Sequence, residues 1–104
     1  MKALMSKATI SCVQDDQLAI KRVYEALIPL EQEYPNFKHW FFSTTVPGVV
    51  EGTRKIFIAS FAYEIAGVLI TKDANEKKIC TLRVLPEYRR MGLGRKLMRC
   101  AVQE

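Results

Sequence analysis

Arginines and glycines cluster near the end of the chain. Gly92 and Gly94 stand two residues apart, and Arg89, Arg90 and Arg95 flank them. Because glycine has no side chain to keep a ligand from the backbone, successive N–H groups there can point at one anion. The arginines add full positive charges that suit phosphate oxygens. The pattern predicts a binding site for a phosphate or pyrophosphate group.

The charge distribution agrees with this interpretation. The 104-residue chain has a formal net charge of +5, and residues 83–104 hold six basic residues against two acidic ones. This segment alone therefore carries +4. Such a surplus is typical of a solvated basic helix face or of a surface that binds a polyanion, either nucleic acid or a phosphorylated cofactor. A hydrophobic content of 49% excludes a disordered or collagen-like chain.

Two predicted elements position the cluster. Residues 78–84 form a strand that ends at Leu85 and Pro86, and a helix begins at about Gly92. The unpaired N–H groups and partial positive charge at the start of that helix strengthen the anion site. Strand alternation places Cys80, Leu82 and Val84 on one face, and Ile79, Thr81 and Arg83 on the other.

The rest of the chain alternates short strands and helices. Residues 7–13 form a first strand, and Asp15 or Asp16 caps a helix that Pro29 ends near Ile28. The apolar stripe of this helix is Ile20, Val23, Tyr24, Leu27 and Ile28.

A short aromatic helix comes next. It contains Phe37, Trp40, Phe41 and Phe42, and a loop through Pro47 and Gly48 follows it. Residues 54–61 and 64–71 are two strands that turn at Ala62 and Tyr63, with a further turn at residues 73–76. This order predicts an α+β fold with a mixed, mainly antiparallel sheet and flanking helices.

Other phosphate and metal motifs fit less well. No P-loop pattern is present, and Leu97 stands where a dinucleotide fingerprint needs its third glycine. The cysteines (Cys12, Cys80 and Cys100) are odd in number and widely spaced, which argues against a disulfide framework or a metal site. We expect Cys80 and Cys100 to be buried and the protein to be cytoplasmic, with no membrane segment.

The arginine–glycine segment resembles a known family. Residues 89–94 match the Arg/Gln-x-x-Gly-x-Gly/Ala motif of the GCN5-related N-acetyltransferases (GNAT), and residues 82–88 resemble the lead-in to it. Residues 64–70 resemble the third strand of the family. The similarity extends over residues 7–104 as a single domain, 1–104, although only residues 79–97 are specific.

The resemblance implies transfer of an acetyl group from acetyl-CoA to an amine acceptor, either a small molecule or a protein. Backbone amides of the motif loop would hold the CoA pyrophosphate, and the preceding strand would bind the pantetheine arm. One strand N–H would polarise the thioester carbonyl, since a fixed donor stabilises a developing oxyanion. The implied cofactor residues are Leu82, Arg83, Val84, Arg89, Arg90, Met91, Gly92, Leu93, Gly94 and Arg95.

Two departures from the family pattern bear on catalysis. Lys77 and Lys78 stand where some members have a catalytic carboxylate, so the general base is open among Glu76, Glu64, His39 and water. The chain also lacks the C-terminal strands and helix of the family, including the tyrosine that protonates the leaving thiolate. The strand ending at Val84 would then present an open edge, and we expect self-association as a homodimer or partial exposure of the sheet, unless the chain is part of a longer protein.

Two alternative functions stay open. A catalytically inactive CoA-binding or regulatory module of the same fold would use the same loop without acetylating an amine. A small basic nucleic-acid-binding domain would instead use the arginines of residues 83–99. That second alternative is disfavoured, since the segment has no helix-turn-helix or zinc pattern and no aromatic residues between its arginines.

Overall fold

A computed structural model describes residues 8–62, 64–73 and 77–103. It contains a four-stranded antiparallel sheet in the order β1-β2-β3-β4, with helices on both faces. The strands are β1 (Thr9–Cys12), β2 (Arg54–Phe61), β3 (Glu64–Asp73) and β4 (Lys77–Val84). The helices are α1 (Gln17–Leu27), α2 (Phe37–Trp40), α3 (Val46–Glu51) and α4 (Leu93–Gln103), and 3-10 turns occupy Ile28–Gln32 and Pro86–Tyr88. The predicted α+β class and antiparallel sheet are confirmed.

Helix α1 begins and ends as its sequence predicts. The Asp16 carboxylate accepts hydrogen bonds from the N–H groups of Leu18 (3.0 Å) and Ala19 (3.3 Å), so Asp16 is the N-cap. The chain leaves the α-helix after Leu27, two residues before Pro29. Ile28, the last residue of the predicted apolar stripe, lies outside α1. This residue is 44% exposed because the backbone tightens into a 3-10 turn there and rotates it away from the core.

The chain stays helical through Pro47 and Gly48, where we expected a loop. A π-helical turn, Phe41–Thr45, joins α2 to α3 without a break. Pro47 lies in the first turn of α3, directly after the π-helical turn, so the widened turn occurs where a regular α-helix would need the N–H that proline lacks. The proline is thus accommodated inside a longer helical segment, which local sequence signals did not reveal.

The sheet separates two apolar clusters. On one face, Ile56, Val68 and Ile70 pack with α1 and the aromatic segment around Phe37 and Phe41. On the other face, β2 and β3 pack against α4. A Cβ added to Gly67 would lie 3.2 Å from Leu97 Cδ1, so the missing side chain lets α4 approach β3 closely.

Strand β4 contains a bulge at Cys80. Ile70 lies opposite Thr81 and Thr71 opposite Ile79, so Cys80 is an extra residue without a partner position on β3. Strand alternation predicts that Cys80 shares a face with Leu82 and Val84, but the bulge turns Cys80 to the other face. There its sulfur accepts a hydrogen bond from Arg54 Nη1 at 3.2 Å. The Arg54 guanidinium in turn lies over the ring of Trp40, 5.7 Å from its centroid. Cys80 therefore faces the α2 side of the sheet.

The expectation that Cys80 is buried is also wrong. Its thiol is exposed because β4 is the last strand of the described sheet. Cys100 is half-buried against the α4 cluster. None of Cys12, Cys80 and Cys100, which all lie within the described residues, forms a disulfide.

Candidate functional site

The segment that leaves β4 is anchored to the start of β3. The Leu85 N–H donates to the Ala66 carbonyl at 2.8 Å, and Tyr88 stacks on Phe61 with ring centroids 5.4 Å apart. The buried Tyr88 hydroxyl donates to Glu64 Oε2 at 2.5 Å. These contacts hold the chain in place immediately before the arginines of the motif.

The hydrogen bond between Tyr88 and Glu64 makes the stability of the fold depend on pH. The hydrogen bond to Glu64 raises the pKa of Tyr88 to about 12, and burial and the negative charges of Glu64 and Glu87 act in the same direction. Because the folded-state pKa lies above the ordinary value near 10, the pair stabilises the fold fully below pH ~10. That contribution is lost as the pH rises through about 12.

We therefore expect Tyr88 to titrate near pH 12 in an ultraviolet absorbance titration of the folded protein. A Tyr88→Phe variant should lack this late step, and Glu64→Gln should move it toward lower pH. Tyr34→Phe is the matched control, because Tyr34 is 59% exposed and should leave the late step unchanged. The hydrogen bond to Glu31 also raises the pKa of Tyr24, so the assignment is contradicted if the step near pH 12 keeps its full amplitude in Tyr88→Phe.

The loop changes direction sharply before α4. Arg89 is extended (φ −71°, ψ 160°), whereas Arg90 and Gly92 both have left-handed backbones, with φ of 66° and 76°. A left-handed conformation is free for glycine but costs an arginine about 1–2 kcal/mol. The tertiary contacts on either side of Arg90 hold it in this conformation.

The start of α4 presents a row of backbone donors. The first hydrogen bond of the helix runs from the Lys96 N–H to the Gly92 carbonyl at 3.1 Å. The N–H groups of Leu93, Gly94 and Arg95 precede it, and such first-turn donors have no helical acceptor. The Leu93 side chain is buried beneath α4, so this residue can offer a ligand only its backbone. The helix start thus combines free N–H groups with the positive end of the helix dipole.

The end of β4 lies directly beside this helix start. A Cβ added to Gly94 would lie 3.9 Å from Leu82 Cδ2 and 4.0 Å from Val84 Cγ2. Arg89 Nε donates to the Val84 carbonyl at 3.1 Å, which ties the loop to the strand. The predicted strand and loop residues are therefore brought together in one place. The Arg90 and Arg95 side chains are exposed there.

The two described candidates for a general base, Glu64 and His39, lie on different elements, β3 and α2. The Glu64 carboxylate accepts the Tyr88 hydrogen bond, which places it under the loop. His39 is exposed on α2, with Nδ1 3.5 Å from Ser43 Oγ. Glu76 lies outside the described residues. Neither described candidate lies in the cleft that borders β4.

That cleft is the feature that sequence reasoning missed. Its volume is about 610 Å³, and it separates β4 from the segment between α1 and α2. The aromatic residues near position 37 predict a short helix, but no local sequence pattern indicates that this helix faces β4. The cleft is lined by Leu30, Glu33, Tyr34, Pro35, Asn36, Phe37, Trp40, Cys80, Thr81 and Leu82.

Residues 8–62, 64–73 and 77–103 contain no group of three or more His, Cys, Asp or Glu side chains placed to hold a metal ion. None of the helices they form is both long and apolar enough to span a bilayer.

Comparison with protein families identifies the class. The model of the acetyltransferase (GNAT) family matches residues 20–104, which is most of the chain. The chain therefore belongs to the GNAT family, whose members transfer an acetyl group to amines, and the resemblance seen in the motif is confirmed. No curated protein sequence matches the chain significantly.

Solved structures share the fold. An aminoglycoside acetyltransferase from an uncultured soil metagenomic sample, in complex with sisomicin, superposes with a TM-score of 0.68 at 22% identity, covering 92% of this chain and 68% of that one. A ribosomal-protein-alanine N-acetyltransferase from Brucella melitensis gives 0.71 at 13% identity, covering 94% and 71%. A GNAT acetyltransferase from Staphylococcus aureus gives 0.69 at 14%, covering 91% and 65%. The chain spans about two thirds of these neighbours.

Proposed function

We propose that the protein binds acetyl-CoA with its pyrophosphate at the start of α4 and transfers the acetyl group to an amine. The observation that carries this proposal is the junction of the Gly92–Gly94 turn with the end of β4. There, free N–H groups and two exposed arginines converge beside the end of β4. These groups fit a diphosphate in charge and in shape.

The exposed edge of β4 fits the rest of the cofactor. β4 is the terminal strand of the described sheet, so half of its backbone N–H and C=O groups point away from β3. Residues 82–84 lead from the loop toward the bulge at Cys80, a path along which a pantetheine amide can pair with the backbone. When bound, acetyl-CoA supplies the acetyl group as an activated thioester. A fixed N–H of β4 would polarise its carbonyl.

The cleft on the far side of the bulge gives an acceptor access to this position. Its wall includes Cys80, Thr81 and Leu82, the part of β4 that the pantetheine arm would reach. An amine must lose a proton before it can attack, and water in the cleft or one of its polar side chains can take that proton. Acetyl transfer in the cytoplasm, with the three thiols reduced, is part of the same proposal.

Calorimetric titration of the chain with acetyl-CoA tests the proposal. We expect a micromolar dissociation constant, and we expect Arg95→Ala to weaken binding about tenfold, since a hydrogen bond to a charged group contributes about 1.5–3 kcal/mol. Arg99→Ala removes an equal charge from the same helix outside the loop and is the matched control. Equal losses in both variants, or no binding by a folded sample, would overturn the assignment.

The open edge of β4 adds an expectation about assembly. We propose that two copies pair through this edge in the absence of acetyl-CoA, because an unpaired strand offers hydrogen-bonding groups to another chain; a bound pantetheine arm would compete with the dimer for the groups of residues 82–84. Sedimentation velocity over a range of concentrations on the calorimetry sample would detect the dimer. A monomer at every concentration would contradict this part of the proposal and leave the cofactor site unaffected.

A further inference from the structure

The cleft beside β4 differs in charge from the rest of the molecule. The chain has 16 lysines and arginines, yet within the described residues none of them, nor the histidine, lines this cleft. Glu33 is its one charged lining residue. Arg54 lies nearby, but its guanidinium is engaged with the Trp40 ring and the Cys80 sulfur. A cation in the cleft would therefore meet the carboxylate of Glu33 and no lysine, arginine or histidine among the described lining residues.

The remaining walls are mainly aromatic and apolar. Phe37 and Trp40 pack with ring centroids 5.8 Å apart and planes tilted by 41°, and Phe37 also contacts Tyr24 and Phe41. These ring contacts make the wall a fixed surface. A volume of about 610 Å³ suits a small molecule with an apolar body.

We infer that the acceptor is a small primary amine with a single positive charge on an aromatic or apolar body, an arylalkylamine in chemical class. The inference rests on the proposed function, since the cleft reaches β4 at the bulge where the acetyl group would lie. Glu33 binds the ammonium, and the wall of Phe37 and Trp40 binds the body. A polycation such as an aminoglycoside or polyamine would leave most of its charges without a carboxylate among the lining residues.

The protein carries its own reporter for this binding. Trp40 is the only tryptophan in the chain and it lines the cleft, so its fluorescence should change when a ligand enters. The probes are 2-phenylethylamine, the uncharged analogue 2-phenylethanol, and the polycation spermidine. All three are titrated without acetyl-CoA, so that the cleft is tested separately from the cofactor site.

We expect 2-phenylethylamine to bind about tenfold more tightly than 2-phenylethanol, because a charge-assisted hydrogen bond of about 1.4 kcal/mol corresponds to a factor of ten. Glu33→Gln should remove this preference and leave 2-phenylethanol binding unchanged. Glu25→Gln is the matched control, since Glu25 is an exposed carboxylate on α1 that does not line the cleft. Both glutamates are exposed, so both variants should fold.

The outcomes separate the two proposals. Tighter binding of spermidine, or a preference for the amine that survives in Glu33→Gln, would overturn the acceptor class while leaving acetyl-CoA binding intact. Loss of acetyl-CoA binding with the amine preference retained would overturn the proposed function and leave an amine-binding cleft. Turnover of 2-phenylethylamine in the presence of acetyl-CoA, reduced by Glu33→Gln and unchanged by Glu25→Gln, would support both.

Discussion

A Gly94→Asp variant is expected to lose acetyl-CoA binding by at least a factor of about 100. The substitution places a negative charge at the first turn of α4, where the proposed pyrophosphate would sit, and like charges at close range in a partly desolvated site repel by several kcal/mol. The added carboxylate would also compete for the N–H groups of Leu93 and Gly94. Calorimetric titration with acetyl-CoA measures the loss directly.

A Gly94→Ala variant shows whether the loss of acetyl-CoA binding comes from the charge of the aspartate or from the size of its side chain. A Cβ at this position would lie 3.9–4.0 Å from Leu82 and Val84, which is ordinary van der Waals contact. The backbone of Gly94 is not in the left-handed region, so alanine fits without strain. We expect this variant to fold and to bind acetyl-CoA with little change. Normal binding by Gly94→Asp would refute the assigned cofactor site.

Leu97→Ala is expected to lower the free energy of unfolding by about 3 kcal/mol, within the range measured for leucine truncations in cores. Leu97 is completely buried, and its side chain packs against β3 at the position of Gly67. Because β3 has no side chain at Gly67 to move into the gap, the cavity would persist. A loss of this size is a large part of the stability of a small domain. Urea denaturation followed by circular dichroism measures it.

Val102→Ala on the same helix is the control for the effect of an added alanine on helix propensity. Val102 is 76% exposed, so this variant should stay within about 0.5 kcal/mol of the parent. If the two variants lost the same stability, the packing of α4 on the sheet would be refuted. Leu97→Ala should also weaken acetyl-CoA binding in the folded fraction, because α4 holds the N–H groups of the proposed site against β4.

Most elements could be predicted from the sequence because local interactions determine them. The Asp16 cap, the helix end before Pro29 and the strands on both sides of Ala62 depend on residues a few positions apart. Ala62 has a left-handed backbone with φ of 54°, as a tight turn there requires. The predicted turn at residues 73–76 lies largely outside the described residues.

The motif was predictable for the same reason. Gly92 and Gly94 stand between a strand pattern and a helix pattern, and that context suffices to predict a loop at a helix start. The structure adds the proximity of Gly94 to Leu82 and Val84, and the left-handed backbone of Arg90. Arginine has no local preference for that conformation, so no sequence signal could indicate it.

The sequence alone determined the α+β class, the limits of α1, the start of α4, and the basic loop between β4 and α4, since capping, periodicity and chain-breaking residues act over a few positions. The tertiary structure decided which side of the sheet Cys80 faces, that the chain stays helical through Pro47, and that residues 30–40 enclose a cleft with β4. Each of these depends on register or packing between segments distant in the sequence. Contacts of that kind leave no periodic pattern within either segment.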